Sequence, residues 1–517
     1  MRLTLLRFPT PVPEGQFNVS SVAPPLALVS LAAYLVIHGF PVTVIDSLGE
    51  GLENIAVLPG VKNYKYRGLA IAEIISKIPR DTAVLGVSCM FSPEWPFNRE
   101  VVKIIKAAFP GIKIVAGGEH VSALPELVLA QAPGIDIAVI GEGEETLREL
   151  AGALSGGSGI EKINGIAFRK DGAFLKTPPR ARIAALDGMP LPFWDAVPVE
   201  NYFRAGLSHG PYQGRTLPIL SSRGCPYSCK FCSNSGMWGD YYIHRSPLNV
   251  VDEIELYIKK YGVQCVEFYD LSPVIGKQWL HDFCALLLAR KVKITWQMAS
   301  GTRFEALDEE LLGLASASGA RYLGFAPESG SGQVLDAAGK NLDLKAFTKV
   351  VKSARRLGLG VKANLIIGFP GETRTQIFKT LFLQLKLALM GVNDAPVFQF
   401  SPYPGSEYFK SLLEKKVIPA LDDGYFNSLG LNLFLKNKNR YCGAVGPFEL
   451  SIYQLSGTVL FYAVYYLARP GQLLKAFLSW NTSSSVFEQR LKQNIKVLLR
   501  ARGGAGEARG AKAPGNK

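Results

Sequence analysis

The chain has 517 residues, 48% of them hydrophobic, and a formal net charge of +14. This length and apolar content predict two or three domains with sizeable cores. Its seven cysteines lack the spacing of a disulfide framework, which favours a reducing cytoplasm. No apolar run reaches the roughly 18 residues that cross a bilayer, and no basic stripe with interleaved aromatic residues accompanies the cysteines. We therefore expect a soluble protein that does not bind nucleic acid.

Residues 1–155 alternate short apolar strands with helix-length segments. Strands are predicted at residues 3–6, 42–45, 83–88, 112–116 and 135–140. This alternation is typical of a parallel sheet covered on both faces, so we expect a doubly wound, Rossmann-like (flavodoxin-like) domain. Two glycine-rich motifs directly follow two of the strands, Gly117-Gly118-Glu119-His120 and Gly141-Glu142-Gly143-Glu144. Ligands bind at that end of such sheets, and glycine lets the backbone approach them closely.

Residues 156–213 are predicted to form a small β-hairpin, at 165–177, followed by an extended linker. A second alternation fills residues 214–430, with strands predicted at 217–222, 265–269, 294–298, 322–326, 361–367 and 397–401. Six strand–helix units predict a partial (β/α)6 TIM-like barrel, in which the active site lies at the carboxyl ends of the strands. Polar or glycine-rich motifs end nearly every one of these strands. Because all these motifs lie at the same rim of the predicted barrel, a functional site is favoured there.

Three cysteines, Cys225, Cys229 and Cys232, follow the first predicted barrel strand. Thiolates at this spacing can converge on one soft metal centre from a single loop. A structural zinc ion takes four ligands, whereas a cubane iron–sulfur cluster with three protein ligands keeps one iron open for substrate. The trio therefore favours a catalytic cluster. The alternative is a zinc site with His244 or another side chain as the fourth ligand.

The other cysteines fit the core better than a site. Cys265 and Cys284 fall within a strand pattern and a helix pattern, and Cys89 fits a small buried thiol at the end of a strand. For Cys442, in a Tyr-Cys-Gly run, a second redox role is the alternative to burial.

Residues 431–501 are predicted to be helical, with helices at 448–468 and 473–499, and residues 502–517 form a basic tail predicted to be disordered. The apolar run at 455–468 has the length of a buried helix that closes the barrel rather than of a membrane span. Basic residues follow this run. Peripheral contact with an anionic membrane, or a lipid-like substrate, is therefore a second hypothesis for this region.

With these motifs, the chain resembles the radical S-adenosylmethionine enzymes that carry an N-terminal cobalamin-binding domain. The resemblance spans about residues 1–470. Besides the cysteine motif and the two N-terminal glycine motifs, it rests on three sequences at the barrel rim: Ala326-Pro327-Glu328-Ser329-Gly330, Gly368-Phe369-Pro370-Gly371-Glu372-Thr373 and Pro402-Tyr403-Pro404-Gly405.

The resemblance implies a [4Fe–4S] cluster held by Cys225, Cys229 and Cys232, with S-adenosylmethionine on its open iron. One electron, from a reductant such as flavodoxin or ferredoxin, would cleave the sulfonium and yield a 5′-deoxyadenosyl radical. The family's contacts to S-adenosylmethionine map onto residues that meet its adenine, ribose or amino-acid part: Phe231, Arg303, Glu328, Ser329, Gly368 and Pro370.

The resemblance also implies cobalamin at the strand ends of the N-terminal domain, facing the cluster. Its contacts would be Gly117, Gly118, His120, Gly141 and Gly143. The cobalt-ligating histidine of an Asp-x-His-x-x-Gly loop is missing, because the loop after the first strand reads Pro-Thr-Pro-Val-Pro-Glu-Gly at 9–15. We therefore expect cobalamin bound without a histidine on cobalt. The alternative is a degenerate domain that binds no corrinoid.

By this resemblance, the chain is expected to be a cobalamin-dependent methyltransferase that acts on an unactivated carbon of a small-molecule or lipid-like substrate. One S-adenosylmethionine would remethylate the corrinoid, and a second would supply the radical. The alternatives are a radical cyclase or rearrangement enzyme and a non-catalytic sensor of cluster or corrinoid. A methylthiotransferase is disfavoured, because the N-terminal part has no second trio of cysteines. We expect a cytoplasmic protein, with membrane association as the alternative, and the sequence assigns no catalytic side chain.

Overall fold

The computed structural model describes residues 1–13, 22–58, 61, 64–206, 208–430, 441–478 and 485–489. In chain order, the strands of the N-terminal part are β1 (Arg2–Arg7), β2 (Thr10–Pro13), β3 (Val42–Asp46), β4 (Ile55–Val57), β5 (Tyr64–Arg67), β6 (Thr82–Ser88), β7 (Lys113–Gly117), β8 (Ile137–Val139), β9 (Ile166–Lys170) and β10 (Ala173–Lys176). Its helices are α1 (Leu26–Ile37), α2 (Ser47–Glu50), α3 (Ile71–Lys77), α4 (Trp95–Ala108), α5 (Glu119–Ala123), α6 (Pro125–Gln131) and α7 (Glu144–Gly156). A short 3₁₀ helix, Ser92–Glu94, precedes α4.

Five parallel strands form the centre of the N-terminal sheet, in the order β3-β1-β6-β7-β8. This is the 2-1-3-4-5 order of the flavodoxin-like doubly wound fold, so the predicted fold class is confirmed. Alternation along the strands explains the two covered faces. In β1, Leu3 and Leu5 pack into one core cluster, whereas Leu6 packs into the cluster on the opposite face.

Two features of the N-terminal part go beyond the predicted pattern. The predicted hairpin is present as β9 and β10, and β9 pairs antiparallel with β8, so the hairpin extends the main sheet at its edge. In addition, β2, β5 and β4 form a small antiparallel sheet that the sequence did not predict. Its strand β2 falls within the segment expected to be a loop after the first strand.

The second part of the chain forms the predicted partial barrel. Its strands are β11 (Thr216–Ile219), β12 (Ser222–Gly224), β13 (Tyr242–His244), β14 (Cys265–Phe268), β15 (Thr295–Thr302), β16 (Ala320–Glu328), β17 (Gly360–Ile367) and β18 (Val397–Gln399). Its helices are α8 (Val199–Ala205), α9 (Asn234–Met237), α10 (Pro247–Tyr261), α11 (Lys277–Ala289), α12 (Glu309–Ala317), α13 (Gly332–Ala337), α14 (Leu344–Arg356), α15 (Arg374–Met390), α16 (Glu407–Glu414) and α17 (Asp423–Leu429). Two 3₁₀ helices, Leu186–Gly188 and Trp194–Ala196, precede α8.

Six strands pair in parallel and in chain order, β11-β14-β15-β16-β17-β18, and the sheet stays open between its first and last strands. All six are the predicted ones, with small shifts at their ends. The pair β12 and β13 forms a separate two-stranded sheet from which the cysteine loop leaves.

The C-terminal helices are α18 (Pro447–Leu467) and α19 (Pro470–Leu478). Helix α18 packs beside α15 and β18, where Gln454 donates to the carbonyl oxygen of Val397, so the apolar run at 455–468 lies in a helix that covers the last strand. None of the helices within the described ranges combines the length and apolarity needed to cross a membrane. The predicted basic tail at 502–517 and most of the predicted helix at 473–499 lie outside the described residues. The predicted domain boundaries at 155, 213 and 430 stay predictions.

Candidate active site

The loops at the carboxyl end of the N-terminal sheet contact the start of the cysteine loop. Arg223, two residues before Cys225, donates to Glu142 at 2.8 Å and to Glu144 at 2.6 Å. Burial lowers the pKa of this guanidinium, but the two carboxylates outweigh burial and raise it overall. The motif predicted to approach cobalamin is therefore held by ion pairs beside the predicted cluster ligands.

A second contact joins the same two regions. Glu119, from the other N-terminal glycine motif, is hydrogen-bonded to Ser233, the residue after Cys232. Burial raises the pKa of the Glu119 carboxyl, and that of the Cys232 thiol is raised in part by Glu119. Sequence reasoning missed this role for Glu119, because the partner lies more than a hundred residues away.

The cysteine loop is fixed at its start and between its last two cysteines. At its start, Asp270 at the end of β14 accepts hydrogen bonds from the Ser221 backbone N–H at 3.0 Å and from the hydroxyls of Ser221 and Ser222, at 2.7 Å and 2.5 Å. Between Cys229 and Cys232, Lys230 donates its N–H to the carbonyl oxygen of Ala338 at 3.0 Å. Because the carboxyl ends of neighbouring parallel strands meet at one rim, Asp270 is placed directly beneath the loop.

Burial raises the pKa of all three site thiols, to about 12 for Cys232. The cations of Lys340 and Arg303 act in the opposite direction on Cys225 and Cys229. No three Cys, His, Asp or Glu side chains within the described ranges converge as a preformed metal site. The donors nevertheless fit a three-thiolate cluster: they are soft ligands on one loop, flanked by cations that offset thiolate charge.

The zinc alternative finds no support in the position of His244. In the two-stranded sheet, His244 pairs with Ser222, whereas Tyr242 pairs with Gly224 beside Cys225. His244 is exposed, and its ring nitrogen Nδ1 lies 3.2 Å from the carbonyl oxygen of Arg245. It therefore lies at the far end of this sheet from the first cysteine.

Three of the residues predicted to contact S-adenosylmethionine surround the cysteine loop. Glu328 ends β16 with a positive φ of 63°, which turns the chain sharply at the rim. Its carboxylate lies 2.8 Å from the ammonium of Lys340, which in turn lies 5.7 Å from the ring centroid of Phe231. Arg303 stacks on the ring of Tyr227 at 4.0 Å. Sequence reasoning missed Lys340 and Tyr227. The only signal at Lys340 is the glycine that precedes it, and the only signal at Tyr227 is its position between Cys225 and Cys229.

Ser329 is arranged differently. Its hydroxyl is fully buried, lies 3.0 Å from that of Thr380 on α15, and accepts the Ser331 N–H at 3.1 Å. The Ser329 side chain thus joins the strand end to a barrel helix. Its predicted contact with S-adenosylmethionine stays a prediction.

The loop that starts at Gly368 lies against the cysteine loop. Gly368 has a φ of 86°, and the rings of Phe369 and Phe231 meet edge to face with their centroids 5.7 Å apart. Glu372 accepts the N–H groups of Gly368 at 2.6 Å and Phe369 at 3.1 Å, while burial raises its pKa to about 7. Pro370 lies within this turn, and Cys442 donates its thiol to the Glu372 carbonyl oxygen at 3.1 Å.

At the N-terminal edge, two glycines have backbone conformations that other residues rarely adopt. Gly118 has a φ of 118°, and a Cβ there would lie 2.6 Å from the carbonyl oxygen of Cys89. Gly141 has a φ of 81°, and nothing lies within 4 Å of where its Cβ would be. Gly117 ends β7, and Gly143 caps α7. The open space at Gly141 fits the close approach of a ligand, whereas Gly118 is required by its contact with the Cys89 backbone.

His120 is packed inside the fold. It is buried between the rings of Trp95 and Phe426, and its Nδ1 lies 2.9 Å from the hydroxyl of Ser92. Burial lowers its pKa to about 3, so the ring is neutral near pH 7. This is the arrangement of a hydrogen-bonded structural histidine, and a contact of His120 with cobalamin stays a prediction.

A buried polar cluster lies at the ends of β1 and β3, next to the switch point of the sheet. Tyr202 donates to Asp46 at 2.6 Å, and Arg7 donates to the Tyr202 hydroxyl oxygen at 3.0 Å. The charge of Arg7 also acts on Glu94 and on Tyr269, which follows barrel strand β14. Sequence reasoning did not single out any of these residues.

Comparisons with known proteins agree with this arrangement. The family model described as B12 binding domain matches residues 17–151, and the one described as Radical SAM superfamily matches residues 219–383. The chain is 30% identical over 404 residues to an uncharacterized methyltransferase of Pyrococcus horikoshii, covering 78% of this chain and 82% of the relative.

Two further relatives have more specific names. The chain is 29% identical to cytidylyl-2-hydroxyethylphosphonate methyltransferase of Streptomyces wedmorensis, covering 78% of this chain and 80% of the relative. It is 28% identical to anaerobic magnesium-protoporphyrin IX monomethyl ester cyclase of Rubrivivax gelatinosus, covering 78% of this chain and 68% of the relative. Among solved structures, the same fold is found in the radical S-adenosylmethionine methyltransferase TsrM of Kitasatospora setae, which has cobalamin and a [4Fe-4S] cluster bound. The TM-score is 0.67 at 17% identity, and the match covers 97% of this chain and 99% of the TsrM chain.

Proposed function

Since the chain belongs to the radical S-adenosylmethionine enzymes with an N-terminal cobalamin-binding domain, we propose that it methylates an unactivated carbon of a small molecule. One observation carries the proposal: Arg223, Glu142 and Glu144 hold the loop that carries three thiols against a strand-end loop that we propose contacts cobalamin. This arrangement suits methyl transfer, because the methyl donor and the radical must reach the same substrate carbon.

Cys225, Cys229 and Cys232 would hold the cluster, and the loops at Gly118 and Gly141 would hold cobalamin. When bound, these groups supply the electron that cleaves S-adenosylmethionine and the carrier of the methyl group. Arg303 and Lys340 place two cations beside the thiols, where they offset thiolate charge. Glu328 offers a carboxylate at the same place, suited to an ammonium group of S-adenosylmethionine. Phe369 is buried and supports the ring of Phe231 edge to face, and the partly exposed Phe231 would offer a ring face to an adenine.

The test is anaerobic reconstitution with iron, sulfide and hydroxocobalamin, followed by turnover with S-adenosylmethionine that carries a CD₃ group. We expect 5′-deoxyadenosine, S-adenosylhomocysteine and a substrate that has gained one CD₃. Cys229→Ala should abolish 5′-deoxyadenosine formation and lose cluster iron while it still binds cobalamin. Cys284→Ala, at a buried helical cysteine away from the loop, is the matched control and should keep the cluster. A protein that holds a stoichiometric zinc ion and no acid-labile sulfide would contradict the proposal.

A second candidate is ring formation or rearrangement without methyl transfer, which the similarity to the Rubrivivax gelatinosus cyclase favours. Product mass separates the two, because only methylation adds a CD₃ group. The third alternative, a sensor, predicts no 5′-deoxyadenosine with dithionite and any candidate substrate. We further propose a flavodoxin or ferredoxin as reductant, and a cytoplasmic enzyme whose substrate is a small or lipid-like molecule.

A further inference from the structure

The outer surfaces of α15 and α18 together present a continuous apolar face. The helices lie side by side and run parallel, because Arg374 at the start of α15 pairs with Glu449 at the start of α18 at 2.7 Å, and Arg469 beyond α18 donates to the carbonyl oxygen of Ala388 near the end of α15 at 2.9 Å. Both ends of the pair are therefore fixed, and the exposed sides of the two helices belong to one surface.

Six of the seven exposed residues of α18 recur every three or four positions and form an apolar stripe: Phe448, Ile452, Leu455, Val459, Ala463 and Leu467. The seventh, Leu460, lies beside Val459 and is apolar as well. Within α18, which is described throughout, no exposed residue is polar or charged. On α15, the stripe is continued by Phe378, Phe382 and Leu389, of which Phe382 is 72% exposed. An exposed apolar face of this length marks an interaction site rather than ordinary surface.

The face is bordered by a basic band on α14 and α15. These helices contain no Asp or Glu, whereas their exposed lysines are Lys345, Lys349, Lys352, Lys379 and Lys386. Between the helices lies a groove of about 500 Å³, lined by Phe378 and Phe382 together with Lys345, Lys379 and Lys386. Apolar and basic groups thus share one groove, as they do where a protein meets anionic headgroups and acyl chains.

We propose that this face docks the enzyme on an anionic membrane surface. The α18 stripe and the two α15 phenylalanines enter the headgroup region, and the lysines contact the anionic headgroups. The helices then lie in the plane of the membrane and do not cross it, consistent with their length and polarity. The proposal goes beyond methyl transfer and does not depend on it.

Charge argues against two other occupants. A second copy of the chain, joined through the same face, would bring two basic bands into contact, and the helices α14 and α15 that form each band contain no carboxylate to offset the charge. The C-terminal residues 490–517 carry eight Lys and Arg against one Glu, so their charge has the same sign as the band. An anionic lipid surface is the complementary partner.

The test is co-sedimentation of the anaerobically reconstituted full chain with vesicles of phosphatidylcholine, alone or with 30% phosphatidylglycerol. We expect at least tenfold tighter binding to the anionic vesicles, weakened by salt. Val459→Glu should abolish binding, and the pair Lys379→Glu with Lys386→Glu should weaken it at least about twentyfold, because each basic residue near such a surface contributes about fivefold. Release of 5′-deoxyadenosine in the absence of vesicles should be unchanged in these variants.

Matched controls lie on the N-terminal domain: Ile37→Glu at an exposed apolar residue, and Lys103→Glu at an exposed lysine on α4. Both should bind vesicles like the wild type. Binding that survives Val459→Glu, or that is equal for the two vesicle compositions, would overturn the proposal. A dimer in light scattering that Val459→Glu converts to a monomer would overturn it in favour of self-association.

Discussion

The ammonium of Lys340 lies 2.8 Å from the carboxylate of Glu328, and both side chains are less than 10% exposed. The pair lies beside the cysteine loop, with the ammonium near the ring of Phe231. A buried pair contributes little net stability, but breaking it leaves one charge without a partner in a dry place. Lys340 therefore connects the rim motif predicted from the sequence to the ligands of the cluster.

Replacing Lys340 with Met should cost about 3–5 kcal/mol of stability and lower 5′-deoxyadenosine release at least tenfold, because the Glu328 carboxylate loses its buried partner. The double variant with Glu328→Gln should recover most of the stability but not the cleavage rate, since no charge then stays unpaired. The surface pair of Lys77 and Glu50, also 2.8 Å apart, provides the control: Lys77→Met should cost less than about 1 kcal/mol. Equal rates for Lys340→Met and wild type would contradict a role at the site.

Arg223 joins the N-terminal glycine motif to the cysteine loop, and its side chain is 13% exposed. Arg223→Met should weaken hydroxocobalamin binding at least tenfold, because Glu142 and Glu144 would repel each other without the guanidinium. Spectrophotometric titration measures this affinity. Arg180→Met is the control, since Arg180 is 14% exposed and pairs with Glu149 away from the cysteine loop. Equal affinity in both variants would show that the contact does not position the corrinoid edge.

The sequence was sufficient where the signal is local. The six barrel strands and the cysteine loop follow from apolar runs of strand length and from ligand spacing within eight residues, and both are present in the structure. The doubly wound class of the N-terminal domain follows from the same alternation, and the structure adds the flavodoxin-like order of its strands. The spacing of apolar residues and the residues that form turns depend on neighbours in the chain. Strands and turns can therefore be predicted without knowledge of tertiary contacts.

The sequence was insufficient where function depends on distant contacts. Nothing near Glu119 indicates that it meets Ser233, and nothing near Lys340 indicates that it reaches Glu328. His120 is another example, because nothing near it in the sequence indicates that its ring packs between those of Trp95 and Phe426. The small sheet that contains β2 was missed because its short strand, with two prolines in four residues, lacks an apolar pattern.

Asp270 accepts three hydrogen bonds from Ser221 and Ser222, directly before the cysteine loop. All three bonds end on Oδ1, and the Ser221 N–H also lies 3.2 Å from Oδ2. In Asp270→Asn, an NH₂ group at Oδ2 faces this N–H, and an NH₂ group at Oδ1 loses all three bonds, so the start of the loop loosens in either orientation. We expect faster loss of cluster absorbance on exposure to a chelator, about tenfold, with the fold retained by circular dichroism. Asp282→Asn, at a side chain of α11 that is 45% exposed, is the control and should bleach like the wild type. Equal rates of absorbance loss in Asp270→Asn and the wild type would show that Asp270 does not anchor the cysteine loop.

Glu372 holds the Gly368 turn through two backbone N–H groups, yet its pKa is about 7 because burial opposes its charge more strongly than the hydrogen bonds favour it. The folded chain therefore keeps a proton that the unfolded chain, with an ordinary glutamate pKa of 4.5, has released. The stability from this proton is complete below the ordinary value and is lost as the pH rises through 7. The change between pH 6 and pH 8 should be about 1 kcal/mol.

Glu372→Gln should remove this dependence, because the amide keeps an oxygen for the turn and carries no titrating proton. The free energy of unfolding in urea, measured anaerobically from pH 6 to pH 8, should fall with pH by about 1 kcal/mol more in the wild type than in the variant. Glu310→Gln, at an exposed residue of α12, should follow the wild-type slope. A variant that falls as steeply as the wild type would mean that Glu372 is already ionised at pH 6, with the two N–H groups outweighing burial. The turn would then rest on a charged rather than a neutral carboxyl.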